Sequence, residues 1–197
     1  MLKLAFTGSH STGKTTLLSD IRSELENEIK VNYITEVARG IIRRGYPLNM
    51  DANVDSYVHY INDQLNAEIA NMKECSLFIS DRTLLDPVAY AVVNAKLPRP
   101  YIPDYFIDMM KNVWLLEQKK YDLYVYFPVE FPMDFDGVRP FDEKYRNDID
   151  EAIRYLLEEN RINHITISGN REKRKKIMIE TIHQLMRDKG DIFPKAK

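Results

Sequence analysis

A glycine-rich stretch near the start of the chain has the spacing of a phosphate-binding loop. Residues 8–15 read GSHSTGKT and satisfy the pattern G-x-x-x-x-G-K-[ST]. In such a loop the glycines let the backbone curl, so that successive N–H groups point at phosphate oxygens. An apolar stretch precedes the loop and a helix-patterned stretch follows it, which is the context that this motif requires. The sequence therefore predicts that residues 8–15 hold the phosphates of a nucleoside triphosphate.

Two side chains of this loop have predicted chemical roles. The ammonium of Lys14 would reach the terminal phosphates, and the hydroxyl of Thr15 would be a ligand of Mg²⁺. We expect the side chain of His10 to point away from the loop and assign it no metal. The competing interpretation is a plain strand-to-helix turn with a surface lysine, and the flanking elements disfavour it. The residues predicted to bind the nucleotide here are Gly8, Ser11, Thr12, Gly13, Lys14, Thr15 and Thr16.

A second charged group follows the apolar run LFIS, where Asp81 and Arg82 stand at the predicted end of a strand. A carboxylate at that place can hold Mg²⁺ directly or through water. The adjacent arginine can neutralise the charge on a phosphoryl group during its transfer. Asp81 is therefore predicted as a metal ligand and Arg82 as a catalytic residue. The alternative is that Asp81 only caps the helix that follows.

A third group lies in the stretch TEVARG, after the second predicted strand. Glu36 and Arg39 are one helical turn apart if a helix begins there. The carboxylate of Glu36 could accept the proton of an attacking hydroxyl as a general base. Arg39 could instead bind a phosphate of the substrate. A solvent-exposed start of a helix is the simpler alternative.

A loop rich in Pro, Asp and Gly spans residues 129–146 and carries Arg139 and Arg146. Phosphoryl transfer needs cations that arrive when the site closes and excludes water, because ATP is otherwise hydrolysed. We therefore predict a lid with both arginines as catalytic residues. Two surface arginines on an ordinary loop are the alternative.

Short apolar runs that alternate with helix-patterned segments must position these groups. Five such runs predict an α/β fold in which a parallel five-stranded sheet has helices on both faces. Ligands bind at the carboxyl ends of the strands in sheets of this kind. The predicted strands are residues 2–7, 31–36, 76–80, 121–127 and 164–168, and the segments expected to form an acceptor pocket are residues 37–73 and 84–119.

The composition limits the classes of partner. A formal net charge of −2 disfavours a nucleic-acid partner without excluding one. The basic run REKRKK at residues 171–176 is interpreted as a solvated helix face rather than as a nucleic-acid contact. The single cysteine fits a reducing compartment, and no membrane-spanning run or signal peptide is expected. We expect a cytoplasmic protein that forms one domain over residues 1–197.

Several stretches together resemble the small P-loop kinases of nucleosides and nucleotides. They are GSHSTGKT, ITEVAR, FISDRTLLDP, YDLYVYF with DGVRPFDEKYR, and ITISGNREKR. The pattern looks most like the AAA-type ATPase/kinase group that includes the ribosylnicotinamide kinase domain of NadR. The resemblance implies a P-loop NTPase-type fold, ATP and Mg²⁺ as cofactors, and a general base at Glu36. It also implies that Asn170 and Arg171 lie against the adenine.

The phosphate acceptor stays undefined at the level of the sequence. Asp86 and Tyr90 are four residues apart on one predicted helical face and are candidates to contact a sugar hydroxyl. Arginines after Glu36 favour a phosphorylated acceptor, whereas Glu36 itself favours a free hydroxyl. An ATP-dependent kinase of a small nucleoside or nucleotide is the main hypothesis. The alternatives are a nucleotide-dependent ATPase or switch, and a kinase that acts on a modified base in DNA.

Overall fold

The computed structural model describes residues 1–132 and 142–190, and its centre is a sheet of five parallel strands. Across the sheet the strand order is β2-β3-β1-β4-β5. The strands are β1 (Leu2–Thr7), β2 (Val31–Ile34), β3 (Leu77–Asp81), β4 (Leu123–Tyr126) and β5 (His164–Thr166). The α-helices within the same residues are α1 (Lys14–Glu28), α2 (Val37–Arg43), α3 (Val54–Asn71), α4 (Leu85–Asn94), α5 (Asp104–Glu117), α6 (Glu143–Glu159) and α7 (Arg171–Asp188).

Both faces of the sheet are covered because side chains alternate along each strand. In β1, Leu4 and Phe6 pack into a core with residues of α1 and α7. The intervening Ala5 belongs to the opposite core, with residues of α3, α4, α5 and α6. In β4, Val125 and Tyr124 divide between the two cores in the same way. The near-continuous apolar sequence of these strands is the expected consequence of burial on two sides.

The carboxyl ends of β1 and β3 meet at one edge of the sheet. Phe6 is in register with Asp81, so the loop after β1 begins beside the end of β3. The chain runs through β2 and β3 on one side of β1 and then crosses to β4 on the other side. Such a switch point is where open α/β sheets bind their ligands.

The predicted fold class is confirmed, with five parallel strands and helices on both faces. Strand β2 ends at Ile34, two residues earlier than predicted. The segment 37–73 contains α2 and α3, and the segment 84–119 contains α4 and α5. The central part of the predicted lid, residues 133–141, lies outside the described residues. Of the helices the structure describes, none has both the length and the apolarity needed to cross a membrane.

Candidate active site

The loop after β1 has a backbone that requires glycine at its first position. Gly8 has a φ of +146°, and a Cβ there would lie 2.5 Å from the backbone oxygen of Phe127. No real side-chain atom tolerates that approach to a strand backbone, so the loop can pass this close to β4 only with glycine. Gly13 has a φ of +85° and stands immediately before α1. These two residues let the chain curl around the space at the N-terminus of that helix.

The ammonium of Lys14 lies inside the curl. Its Nζ donates to the backbone oxygens of Gly8 and Ser9, at 2.8 and 2.5 Å, and to Oγ1 of Thr12 at 2.9 Å. The side chain is buried, with 5% of its surface exposed. The loop therefore holds a positive charge at the point where the phosphate-binding pattern requires it.

Three successive N–H groups of the loop have no acceptor within the described part of the chain. They belong to Ser11, Thr12 and Gly13, while the carbonyls that precede them are engaged by arginines from α6 and α7. Ser11, Thr12 and Gly13 all line one cavity, so this row of donors is available to a ligand with several acceptor oxygens. A phosphate group has that chemistry.

Thr15 and Asp81 lie together beside this loop. Oγ1 of Thr15 donates to Oδ2 of Asp81 at 2.8 Å, and Oδ1 of Asp81 is buried with no hydrogen-bond partner in the described residues. An unpartnered, buried carboxylate oxygen next to a hydroxyl is the oxygen-ligand chemistry that Mg²⁺ prefers. The residues present therefore fit a magnesium ion. Helix capping by Asp81 is not observed, because α4 begins four residues later and has no side-chain cap.

Arg82 and Asp86 form a buried ion pair at the end of β3. Arg82 has a left-handed φ of +84°, and its Nη1 donates to Oδ1 of Asp86 at 2.7 Å. The other carboxylate oxygen accepts from the N–H of Thr83 at 3.0 Å and from the hydroxyl of Thr7 at 3.3 Å. Burial raises the pKa of Asp86, and the guanidinium of Arg82 opposes that shift. Asp86 is thus committed to orienting Arg82.

A polar network from α3 supports the strained turn at Arg82. Nε2 of Gln64 donates to Oγ of Ser80 at 3.0 Å and to the backbone oxygen of Arg82 at 3.2 Å. The same nitrogen donates to Glu68, which also accepts from the hydroxyl of Tyr121. Glu68 is buried, and burial raises the pKa of its carboxyl.

We expect the substitution Glu68→Gln to stabilise the protein increasingly as the pH rises. In the wild type the folded state holds the Glu68 proton to a higher pH than the unfolded state. The free energy of unfolding of the wild type therefore falls by about 1.4 kcal/mol per pH unit between the unfolded-state pKa and the folded-state pKa of Glu68. Glutamine does not titrate, so the stability difference between the two proteins should widen from pH 5 to pH 8. Urea unfolding at both pH values measures this difference, and a constant difference would contradict it.

Two cavities meet at this edge of the sheet and share two arginines. The first, of about 410 Å³, is lined by the phosphate-binding loop, and the second, of about 280 Å³, lies between α2, α3 and α4. Arg39 and Arg82 line both cavities. Asp81 lines the first, together with Lys14 and Thr15. One cavity therefore lies on each side of the guanidinium groups of Arg39 and Arg82.

Aromatic side chains shape the second cavity. Tyr57, Tyr60 and Tyr90 line it, and the Tyr60 hydroxyl is buried with no hydrogen-bond partner in the described residues. His10 lines it as well, with its Nδ1 3.3 Å from the hydroxyl of Tyr90. His10 is 2% exposed, and its ring points away from the loop toward Tyr90 and Tyr145, against which it is buried. Asp86 also lines this cavity, although its carboxylate already accepts hydrogen bonds from Arg82, Thr83 and Thr7.

Glu36 lies outside the lining of both cavities. It precedes α2 in a left-handed conformation, with a φ of +70°, and forms an ion pair with Arg39 one turn later. Arg39 lines both cavities, so the ion pair links Glu36 to a residue that the two cavities share. Thr16 lines the first cavity and is exposed.

The structure places the predicted lid and adenine residues as follows. Arg146 is not on a loop but in the first turn of α6, where it is 2% exposed. Arg139 lies outside the described residues. Asn170 caps α7 by accepting from the N–H of Lys173. Arg171 lines the first cavity, and its Nε and Nη2 donate to Oδ2 and Oδ1 of Asp20 at 2.7 and 2.5 Å.

Comparison with known families assigns the chain by sequence. A family model described as an AAA domain matches residues 3–174. The chain belongs to this AAA domain family. No curated protein sequence matches it.

Solved structures similar to this AAA domain chain are nucleotide-binding proteins of low sequence identity. NadR in complex with NAD and AMP-PNP has a TM-score of 0.69 at 18% identity, over 93% of this chain and 49% of that one. NadR in complex with NR has a TM-score of 0.70 at 20% identity, and the match covers 100% of this chain and 54% of that one. Deoxyadenosine kinase from M.mycoides, with products dCMP and dCDP bound, has a TM-score of 0.68 at 13% identity, and the match covers 93% of this chain and 100% of that one. The chain spans about half the length of the NadR chains, and the shared feature is the fold.

One charged residue of the AAA domain site was missed from the sequence. Arg174 is 3% exposed, lines the first cavity and contacts the phosphate-binding loop, yet the basic run that contains it was interpreted as a solvated face. Its neighbours Lys173 and Lys176 are indeed exposed. The available signal was its spacing: Arg174, Met178, Ile182 and Met186 share one face of α7, and the three apolar residues are buried.

Proposed function

We propose that this chain is an ATP- and Mg²⁺-dependent phosphotransferase that moves the γ-phosphoryl group to a small nucleoside-type acceptor. The observation that carries the proposal is the pair of cavities that share Arg39 and Arg82. Phosphoryl transfer requires a donor and an acceptor to approach along one line with cations at the transferred group. Two ligand spaces that meet at two guanidinium groups have that arrangement.

On the donor side, the loop at residues 8–15 would hold the phosphate tail through its backbone N–H groups and the Lys14 ammonium. Thr15 and Asp81 would hold Mg²⁺, which when bound neutralises phosphate charge and orients the phosphates. Arg82 is held by its ion pair with Asp86, and its side chain is 17% exposed. Its guanidinium would therefore stabilise charge on the transferred group without a change of its own position. Arg171 and Asn170 remain proposed neighbours of the base.

On the acceptor side, a nucleoside with a free hydroxyl fits the second cavity better than a phosphorylated acceptor. Its lining is mostly apolar and aromatic, which suits a planar base. Among the described residues that line it, the arginines are Arg39 and Arg82, both of which already face the donor cavity. Glu36, which lies outside the lining of both cavities but forms an ion pair with Arg39, is the proposed general base for the hydroxyl.

The similar structures support this choice without deciding it. NadR was solved with NR and with AMP-PNP, and the M.mycoides enzyme is a deoxyadenosine kinase. Each of those proteins is less than 25% identical to this chain. They support a kinase of nucleoside-like acceptors as the activity to test first.

The test is ADP release from Mg²⁺-ATP in the presence of single acceptors. Nucleosides, ribosylnicotinamide, nucleoside monophosphates and oligonucleotides are assayed in parallel, and products are identified by a mass gain of one phosphoryl group. We expect ADP release that depends on a nucleoside or ribosylnicotinamide and little release without an acceptor. ADP and inorganic phosphate released equally with and without every acceptor would indicate an ATPase instead.

A further inference from the structure

Arg146 binds the outer side of the phosphate-binding loop. Its Nε donates to the backbone oxygen of His10 at 3.1 Å, and its Nη2 donates to that of Ser11 at 2.9 Å. Nη1 donates to the backbone oxygen of Phe131 at 2.8 Å. One buried guanidinium from α6 thus fixes two successive carbonyls of the loop, and its three nitrogens are all engaged by backbone oxygens.

Arg174 continues the same pattern from α7. Its Nη1 donates to the backbone oxygen of Thr12 at 2.6 Å, and its Nε donates to that of Gly169 at 2.9 Å. Nη2 forms an ion pair of 2.5 Å with Glu130, and the guanidinium lies 4.7 Å from the centre of the Phe131 ring. A Cβ at Gly13 would come within 3.2 Å of Nη1, so a glycine there gives this arginine access to the loop.

These contacts determine where the loop's donors point. In a trans peptide the carbonyl of one residue and the N–H of the next are antiparallel. If the oxygens of His10, Ser11 and Thr12 are bound on the outside, the N–H groups of residues 11–13 must face the other way. Those N–H groups are the ones with no acceptor in the part of the chain that the structure describes. In contrast, the carbonyls of Gly8 and Ser9 face inward, where they accept from Lys14.

We propose that Arg146 and Arg174 are positioning residues that aim three consecutive N–H groups of the loop at the phosphates of the nucleotide. They act through the loop backbone, whose carbonyl oxygens they bind on the side opposite these N–H groups. Together with Glu130 we call them the arginine clamp. The inference rests on the proposed function only for the identity of the ligand, a nucleoside triphosphate.

The clamp also explains why arginine stands at both positions. A guanidinium presents N–H donors in several directions in one plane, so it can bridge two or three carbonyls at once. A lysine ammonium at either place would keep the charge but could not hold the same set of oxygens. Loss of the bridge should leave the peptide units at residues 10–13 free to rotate, and the binding energy of the phosphate tail should fall.

Binding of AMP-PNP and of AMP, each with Mg²⁺, tests the clamp by calorimetry. AMP lacks the terminal phosphates, so the ratio of the two dissociation constants isolates recognition of the tail. We expect Arg146→Lys and Arg174→Lys each to lower that preference for AMP-PNP by roughly tenfold, since one or more charge-assisted hydrogen bonds are lost. Glu130→Gln should lower it by a smaller factor, because only the orientation of Arg174 is affected. Arg154→Lys and Arg187→Lys, exposed on α6 and α7, are the matched controls.

Each result decides the matter. An unchanged preference in the folded lysine variants would overturn the clamp, as would an equal loss of AMP and AMP-PNP binding, which indicates general destabilisation. If the lysine variants do not fold, the partly exposed Glu130→Gln variant decides by the same ratio, and an unchanged ratio overturns the proposal. A wild type that binds AMP-PNP through the clamp but phosphorylates no acceptor would refute the proposed function alone. Failure of the wild type to bind AMP-PNP would refute both.

Discussion

Replacement of Lys14 by methionine should reduce phosphoryl transfer by at least about 10²–10³-fold while the protein remains folded. The ammonium lies at the centre of the loop, held by two backbone oxygens and the Thr12 hydroxyl. When phosphates occupy the loop, this charge balances theirs, and the balance matters most in the transition state, where charge is redistributed toward the leaving oxygen. Methionine keeps the length and burial of the side chain and removes the charge and its donors.

The measurement combines initial rates of ADP formation with thermal melting. Loss of Lys14 leaves buried acceptors in the loop without a donor, which costs about 1–3 kcal/mol per group, and removal of a buried charge offsets part of that cost. We therefore expect a modest fall in the melting temperature beside a large fall in rate. Lys176→Met, on the exposed face of α7, is the control. A Lys14→Met variant with nearly wild-type rate would refute the assignment of this loop as the phosphate site.

The parts of the fold and site that the sequence predicts are those that depend on local pattern. The apolar runs determine the central strands β1, β3 and β4, because burial on two faces leaves few polar positions in them, whereas the edge strands β2 and β5 are only partly buried. The glycine and lysine spacing at residues 8–15 requires a strand before and a helix after, and both are present. Asp81 could be placed at the end of β3 because the apolar run stops there, and parallel strands bring their carboxyl ends to one edge.

The parts that the sequence does not predict depend on contacts between distant residues. Arg146 and Arg174 bind the loop across 136 and 162 residues, and neither lies in a motif that specifies the contact. Arg174 is hidden in a basic run whose other members are mostly exposed, because only one face of α7 turns inward. His10 is buried because Tyr90 of α4 and Tyr145 of α6 pack near its ring, and the sequence of the loop itself does not predict these contacts.

Asp81→Asn should suppress the transfer rate by about 10²-fold or more and weaken nucleotide binding much less. Asparagine keeps the shape of the side chain and an oxygen that can accept from Thr15, so the local hydrogen bond of 2.8 Å can persist. What disappears is the negative charge beside the buried, unpartnered Oδ1, which is the feature that fits a magnesium ligand.

Rates measured across a series of Mg²⁺ concentrations, together with titration of AMP-PNP, test this separation of effects for Asp81→Asn. The variant should need more Mg²⁺ to reach its lower maximal rate, because one anionic ligand has become neutral. Asp148→Asn, at a surface ion pair on α6, supplies the control for an equivalent change of charge. A wild-type rate and Mg²⁺ requirement in Asp81→Asn would remove Asp81 from the chemistry. Its position at the end of β3 would then serve only the hydrogen bond to Thr15, and the magnesium site would have to be built from other oxygens.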